Sequence, residues 1–413
     1  MAMFAAFVLL VFLYSLVSRR LDRTVITAPI VFTVAGMLAS LLLPGVSEPE
    51  LEQEERLLLA EVALVMLLFT DATRIGLRDL RGNRNLPVRL LSTWMLLTIL
   101  LGAIAAMVVL PGLSVWEAGI LAAVLAATDA GLGQVIVSSP RVPARIREAL
   151  SVEAGLNDGL SVPFLMFFIA LALERTEGPH LVLTRFLVEQ LGYGTLVGLG
   201  IGLTGGWLLE LARRREWMAT PLQQLGVVAL PILCVLASEA TGASMFIAAF
   251  VAGLAVQSGF KEASRHSVEF TEQWGQLFSY FVFFLFGLRV MPAWTQVSLR
   301  LVLYAVLSLT VVRMVPVAVA LAGTNLSRPT TLFMGWFGPR GLASIVLGLV
   351  YLGQQPKLPG EPTMKLAVML TVLLSIFAHG LSALPGIELY ARWLDSAGPG
   401  APEHRMIHEA KSS

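Results

Sequence analysis

The chain alternates between apolar runs and short polar loops. The runs cover 4–17, 26–43, 57–72, 90–110, 116–137, 149–173, 186–211, 222–237, 243–256, 270–290, 299–322, 331–352 and 364–384. A crossing helix needs roughly 20 apolar residues, so these runs are read as membrane spans, about thirteen of them. The first is short and calls for tilt or local thinning of the bilayer. The turn at Thr241-Gly242 joins the eighth and ninth into a tight pair.

The loops alternate in charge. Arginines follow odd-numbered runs, as in Arg19, Arg20 and Arg23, or Arg213, Arg214 and Arg215. Acidic residues follow even-numbered ones, as in Glu48 to Glu55, or Glu174 and Glu177. Positive residues stay on the cytoplasmic side. The expected topology is an N-terminus outside, a multi-pass chain in the cell (inner) membrane and a short cytoplasmic tail over 392–413. The first run has no basic residue before it and several after it, the reverse of a secretory leader, so it reads as a span.

Composition agrees. Of 413 residues, 56% are hydrophobic and only 14% charged, against about 25% charged in a soluble domain; mean hydropathy is +0.77. The fold class is therefore an all-α polytopic membrane protein. Cys234 is the one cysteine, which excludes an internal disulfide and a thiolate metal cage. No HExxH, no Gly-rich loop ending in Gly-Lys-Ser/Thr and no Cys/His metal spacing occurs, so no cofactor is expected. The basic loops are topology signals and carry no nucleic-acid reading. The glycines between Gly192 and Gly206 lie in an apolar run, where close helix packing explains them.

Two runs are interrupted alike. The fifth contains Thr128-Asp129-Ala130-Gly131-Leu132-Gly133, and the twelfth Gly335-Trp336-Phe337-Gly338-Pro339-Arg340-Gly341. Irregular backbone at membrane depth is tolerated only where protein or a cavity surrounds it. A matched pair of broken spans points to inverted repeats with a binding site near the midplane. Spans four to six and eleven to thirteen are then the equivalent trios.

An ionisable residue inside a span is costly and reads as functional by default. The densest intrusion is Ser151-Val152-Glu153-Ala154-Gly155-Leu156-Asn157-Asp158-Gly159. Asp158 is the first candidate for an exchanged ion, because a carboxylate holds either a proton or an alkali cation. Asn157 beside it offers a ligand oxygen, a means of fixing Asp158, or ordinary interhelical bonding; Ser151 adds a hydroxyl. Glu153 is turned roughly 140° about the helix from Asp158, so a separate role is natural: neutralisation by Arg313 or Arg340. Thr128 and freed carbonyls suit a hard cation. Asp129 could contact the cation or cap a half-helix, while Arg340 is expected to compensate carbonyl ends of the twelfth span. Glu61 is a site candidate or an interfacial carboxylate. His379 is a structural histidine or a pH sensor.

Gly155-Leu156-Asn157-Asp158-Gly159 with Glu153 upstream resembles the sixth-span motif of the monovalent cation:proton antiporter-1 family, the sodium/proton exchangers. Gly338-Pro339-Arg340-Gly341, Arg313 before Pro316-Val317, His379-Gly380-Leu381 and the stretch from Glu61 to Asp71 resemble other spans of that family, in order. The compact chain is similar to its prokaryotic, NhaP-like branch. The resemblance implies a homodimer, with core spans within 88–175 and 297–386 and interface spans within 1–74 and 182–291, and elevator-type alternating access. It implies that Asp158 carries the cation (Na+, or Li+ or K+) or the proton, that Asn157 and Thr128 neighbour it, and that Glu153 pairs with Arg313. Asn-Asp, as opposed to Asp-Asp, resembles the electroneutral branch, with a role in pH homeostasis. One departure is Ala130, where the family often has proline after Thr-Asp.

The expected function is sodium/proton antiport, one cation for one proton. Potassium/proton antiport and a related cation channel are alternatives. An intramembrane aspartyl enzyme using Asp129 and Asp158 is a weaker reading, and the chain is expected not to be an enzyme.

Overall fold

A computed structural model describes residues 2–21, 24–42, 53–74, 93–173, 191–260, 266–351, 358–398 and Glu403. These residues form helices and loops, with no strand among them. Seven stretches are long and apolar enough to cross a membrane, namely Met3–Leu21, Ala144–Leu173, Leu191–Arg214, Leu222–Thr241, Phe270–Gln296, Leu299–Ala320 and Glu361–Ala397. Shorter apolar helices lie at Ala28–Leu42, Met95–Val109, Val115–Val124 and Met245–Gly259. Of the loop charges named above, Arg23, Glu48, Glu50, Glu52, Glu174 and Glu177 lie outside the described residues.

The chain divides into two compact units. The first holds Met1–Glu54, Gly82–Asn157 and Tyr280–Ser413. Its helices are α1 (Ala2–Leu21), α2 (Ala28–Leu42), α4 (Met95–Val109), α5 (Val115–Val124), α6 (Ala130–Val137), α12 (Leu299–Leu309), α13 (Val311–Ala320), α14 (Arg328–Trp336), α15 (Leu342–Ile345) and α16 (Glu361–Ala397). The second holds Glu55–Arg81 and Asp158–Ser279. It contains α8 (Gly194–Arg214), α9 (Thr220–Thr241), α10 (Met245–Gly259) and most of α3 (Gln53–Arg74). Two helices continue from one unit into the other, α7 (Ala144–Leu173) and α11 (His266–Ala293).

Local chemistry accounts for many helix ends. Ser114 and Glu117 close a reciprocal capping box at the start of α5, which satisfies two otherwise orphaned amides. Ser244, Ser298 and Ser327 cap α10, α12 and α14 through their side chains. Gly242, at φ 69°, ends α9 in the left-handed conformation that glycine adopts without strain. In the second unit α8 packs tightly on α10. A Cβ at Gly198, Gly202 or Gly206 would overlap the carbonyl of Ala248, Ala252 or Val256, so the glycine stripe allows the two backbones to touch.

The structure changes two sequence expectations. The eleventh run is two helices, α12 and α13, that meet at Thr310 (φ −107°, ψ −89°). Pro316 in the second of them lacks an N–H and crowds the carbonyl four residues back, which loosens the helix near that bend. The last helix does not stop at Leu384; it runs through Pro385 to Ala397, into what reads in sequence as a polar tail.

In the first unit α16 is central. It packs on α12, α5, α6, α14 and α2 and is buried along much of its length. That leaves the ends of α5, α6, α14 and α15 gathered around it.

Candidate functional site

The site starts from two gaps in helical hydrogen bonding. α5 ends at Val124 and α6 begins at Ala130; α14 ends at Trp336 and α15 begins at Leu342. The gaps meet, with the Asp129 amide donating to the Pro339 carbonyl at 2.8 Å. Each gap exposes carbonyls on one side and amides on the other. Buried, those groups each need a partner.

The amide ends converge on one carboxylate. Asp129 Oδ1 accepts from the Leu132 amide at 3.1 Å and Oδ2 from the Leu342 amide at 2.7 Å. It thereby caps α6 directly and serves α15 across 213 positions of sequence. Gly341, which precedes α15, has no side chain to cap with, and a Cβ there would overlap Asp129. The capping role that the sequence left open for Asp129 is what its contacts perform.

The carbonyl ends take arginines, in a crossed arrangement. Arg340 reaches across to the other gap. Its Nη1 donates to Ala126 O at 2.6 Å and Ala127 O at 2.9 Å, in the other gap. Arg313 serves the end of α14 instead, with Nε donating to Gly335 O at 3.3 Å and Nη2 to Met334 O at 3.4 Å. The same guanidinium pairs with Glu153 through Nη1 at 2.5 Å and lies over the Trp94 ring, 4.3 Å from its centroid. Arg313 and Glu153 are 1% and 2% exposed. Gly338 leaves the space that the guanidinium fills. Both glycines of Gly-Pro-Arg-Gly are thus explained by a charged side chain pressed against them.

Asn157 ties α7 to this junction. Its Nδ2 donates to Ala126 O at 2.7 Å and to Thr128 Oγ1 at 3.3 Å. The carbonyl at Ala126 fixes which end of the amide is nitrogen. Asn157 Oδ1 then remains a buried acceptor with no donor among the described residues. Asp158, the next residue, is buried at 1% exposure. In the second unit its helix runs past Phe250, whose ring fills the space beside Gly159, and the Ser161 hydroxyl donates to the Asp158 carbonyl.

His379 of α16 joins the first-unit cluster. Its Nε2 lies 2.9 Å from Trp336 O and its Nδ1 3.0 Å from Ser375 Oγ. Glu61 is buried on α3 of the second unit. Ser151 is exposed and lies outside the buried polar cluster, so it is not brought to Asn157. The reason is helical: Ser151 is turned away from Asn157 by roughly 120° of six-residue rotation.

Sequence reading missed Trp94, Ser375 and Ser344. Trp94 is fully buried under Arg313, where an aromatic near the start of a span reads as an interfacial anchor. Ser375 accepts the Arg340 amide at 2.6 Å, and its i,i+4 spacing to His379 was the signal for it. Ser344 donates to Val124 O at 2.9 Å; no local pattern marks it.

The sodium/hydrogen exchanger transmembrane profile matches residues 6–386. The chain belongs to this family. It is 26% identical over 97% of its length to the K(+)/H(+) antiporter NhaP of Alkalimonas amylolytica, covering 69% of that protein. It is 27% identical over 58% of its length to Na(+)/H(+) antiporter 2 of Zygosaccharomyces rouxii, covering 31% of it. The fold resembles the sodium proton antiporter MjNhaP1 of Methanocaldococcus jannaschii at a TM-score of 0.66 and 19% identity, over 92% of this chain and 98% of that one. The chain is therefore a multi-pass membrane protein of a cation:proton antiporter family. Such proteins are transporters and not enzymes, and they need no cofactor, which disposes of the aspartyl-enzyme alternative.

Proposed function

We propose that the chain exchanges one sodium ion for one proton at Asp158, by secondary-active antiport. The observation that carries this is the arrangement of Asn157. Its amide hydrogens are spent on Ala126 O and Thr128 Oγ1, which leaves Oδ1 as an unclaimed buried oxygen on the residue next to a buried carboxylate. An alkali cation seeks oxygen ligands, and a carboxylate that binds it must first lose its proton.

The stoichiometry follows from counting exchangeable charge. Glu153 is committed to Arg313 and Asp129 to two backbone amides. Asp158, buried beside Asn157, is the carboxylate proposed to trade a proton for a cation. Both loaded forms carry the same net charge, so exchange is electroneutral. Thr128 and Asn157 neighbour the cation; Asp129, Arg340, Glu153 and Arg313 hold the crossed backbone in shape.

The two gaps are read as the broken fifth and twelfth of about thirteen spans in inverted repeats. Movement of core spans (within 88–175 and 297–386) against interface spans (within 1–74 and 182–291) provides elevator-type alternating access in a homodimer. Loop charges support an outside N-terminus and a cytoplasmic C-terminus. Potassium is the second reading, favoured by the Alkalimonas relative, a K(+)/H(+) antiporter.

The test is cation-driven dequenching of a trapped pH dye in proteoliposomes, with Na+, Li+ or K+ and an imposed membrane potential. Flux that is lost in Asp158→Asn and indifferent to potential is expected. Flux that follows potential overturns one-for-one exchange, and undiminished flux in Asp158→Asn overturns the site. The cation giving the lowest half-saturation decides between sodium and potassium.

A further inference from the structure

The gap after α14 has two ends, and α16 reaches both. Trp336 O, the last carbonyl of α14, faces His379 Nε2 at 2.9 Å. The Arg340 amide, on the far side of the gap, donates to Ser375 Oγ at 2.6 Å. Ser375 and His379 are four residues apart on one helix face, and Oγ of one lies 3.0 Å from Nδ1 of the other.

A carbonyl only accepts, so Nε2 carries hydrogen toward Trp336 O. Nδ1 lies 3.0 Å from both the hydroxyl and the carbonyl oxygen of Ser375. The contacts form one relay, from the Arg340 amide through Ser375 and the imidazole to the Trp336 carbonyl. The Trp336 carbonyl also accepts from the Gly338 amide at 2.9 Å, and the side chain has contacts of its own. Its indole Nε1 donates to Ser382 Oγ at 2.9 Å, and its ring lies 5.1 Å from the imidazole centroid. Ser375 and His379 are both buried, at 0% and 2% exposure.

We propose that His379 and Ser375 are a positioning pair for ion exchange. They staple both ends of the 337–341 gap to α16 and so set where Arg340 sits. Arg340 in turn bonds the Ala126 carbonyl, which it shares with Asn157. Loosening the staple lets Arg340 and Ala126 drift, and the Asn157 oxygen drifts with them. The proposal rests on the reading of Asn157 and Asp158 given above.

The first arm of the experiment is independent of transport. Hydrogen exchange of the peptide spanning 336–342 in detergent should quicken in His379→Leu and Ser375→Ala and stay near wild type in His379→Gln. Glutamine places an amide N–H where Nε2 stands, whereas asparagine reaches only the Nδ1 position, so His379→Asn should behave as His379→Leu does. The second arm is flux kinetics in proteoliposomes. Loss of one buried hydrogen bond corresponds to about a tenfold rise in KM for the cation at little cost in kcat. That rise is expected in His379→Leu, His379→Asn and Ser375→Ala, with recovery in His379→Gln. The double variant His379→Leu/Ser375→Ala should be no worse than either single, because both break one relay.

An unchanged KM in His379→Leu, an equal loss in His379→Gln, or multiplicative effects in the double variant each overturn the proposal. Should His379→Leu not fold, the Gln and Asn pair decides the matter alone. Full flux in Asp158→Asn, measured in the same vesicles, would instead sink the exchange-site reading, while the hydrogen-exchange arm still reports on the staple.

Discussion

Arg313 shows how much one side chain can be asked to do in an apolar interior. It neutralises Glu153, covers the face of Trp94 and supplies donors to two carbonyls at the end of α14. Breaking a buried ion pair by removing one partner costs about 3–5 kcal/mol, because a charge is left uncompensated. Arg313→Met should therefore lower the melting temperature in detergent strongly. Glu153→Gln should cost less, since its amide oxygen still accepts from the guanidinium and the carbonyl contacts survive. Equal melting temperatures for the two variants would show that the carbonyl contacts add nothing. Asp129 presents the complementary case. Its two oxygens serve two helix starts, and a lost cap costs about 1 kcal/mol. Asp129→Ala should thus lose roughly twice a single cap, about 2 kcal/mol. Asp129→Asn, with one acceptor oxygen left, should fall between Ala and wild type on the same melting curve.

At the level of elements, the interrupted helices and the close helix pair solve opposite problems. The gaps at 125–129 and 337–341 free backbone groups, and several of them are met by side chains from other elements, such as Arg340 at Ala126 and Arg313 at Gly335. The pair α8 and α10 removes side chains instead, so that backbone meets backbone. A side chain added there has no room. Gly202→Leu should reduce folded yield and thermal stability by more than Gly200→Leu, because Gly200, on the same helix, faces open space. Equal tolerance at the two positions, measured as monodisperse yield after solubilisation, would mean that α8 does not hold α10 by that stripe.

At the scale of the whole molecule, Glu403, the one described residue beyond 398, meets the start of α14. Glu403 is buried, and its Oε1 accepts from the Ser327 amide at 3.0 Å and the Thr330 hydroxyl at 2.8 Å, at the start of α14. Thr330 Oγ1 also meets the Tyr390 hydroxyl of α16 at 2.9 Å. Burial by itself would raise the Glu403 carboxyl, but the hydrogen bonds from Ser327 and Thr330 outweigh it and hold the carboxyl below the ordinary 4.5. A carboxyl lowered on folding contributes stability that is complete above its unfolded value and lost as pH falls through its folded one. The difference in melting temperature between wild type and Glu403→Gln should be constant above about pH 5 and shrink as the solution is acidified below 4.5. A difference that grows on acidification would contradict this contact.

The all-helical, apolar character of the chain and the polar residues that interrupt it were legible in sequence, because both are local properties. A run of apolar residues states its own length, and a Glu, Asn, Asp or Arg inside it is conspicuous wherever it later packs. Asp158, Asn157, Asp129, Glu153, Arg313, Arg340 and His379 were all visible in this way, and all are buried. The family could be named from the same local motifs. What only the tertiary structure decided is who meets whom. Arg313 and Glu153 are 160 positions apart, and Arg340 reaches Ala126 across 214. Nothing in either span says that each arginine serves the helix end it does, or that Arg340 compensates the opposite gap. Trp94 and Ser344 gave no sign of their roles for the same reason. Freed backbone groups inside a membrane are satisfied by whatever polar atom the helix crossing brings within 3 Å or so, and the crossing is set by the packing of all the helices together.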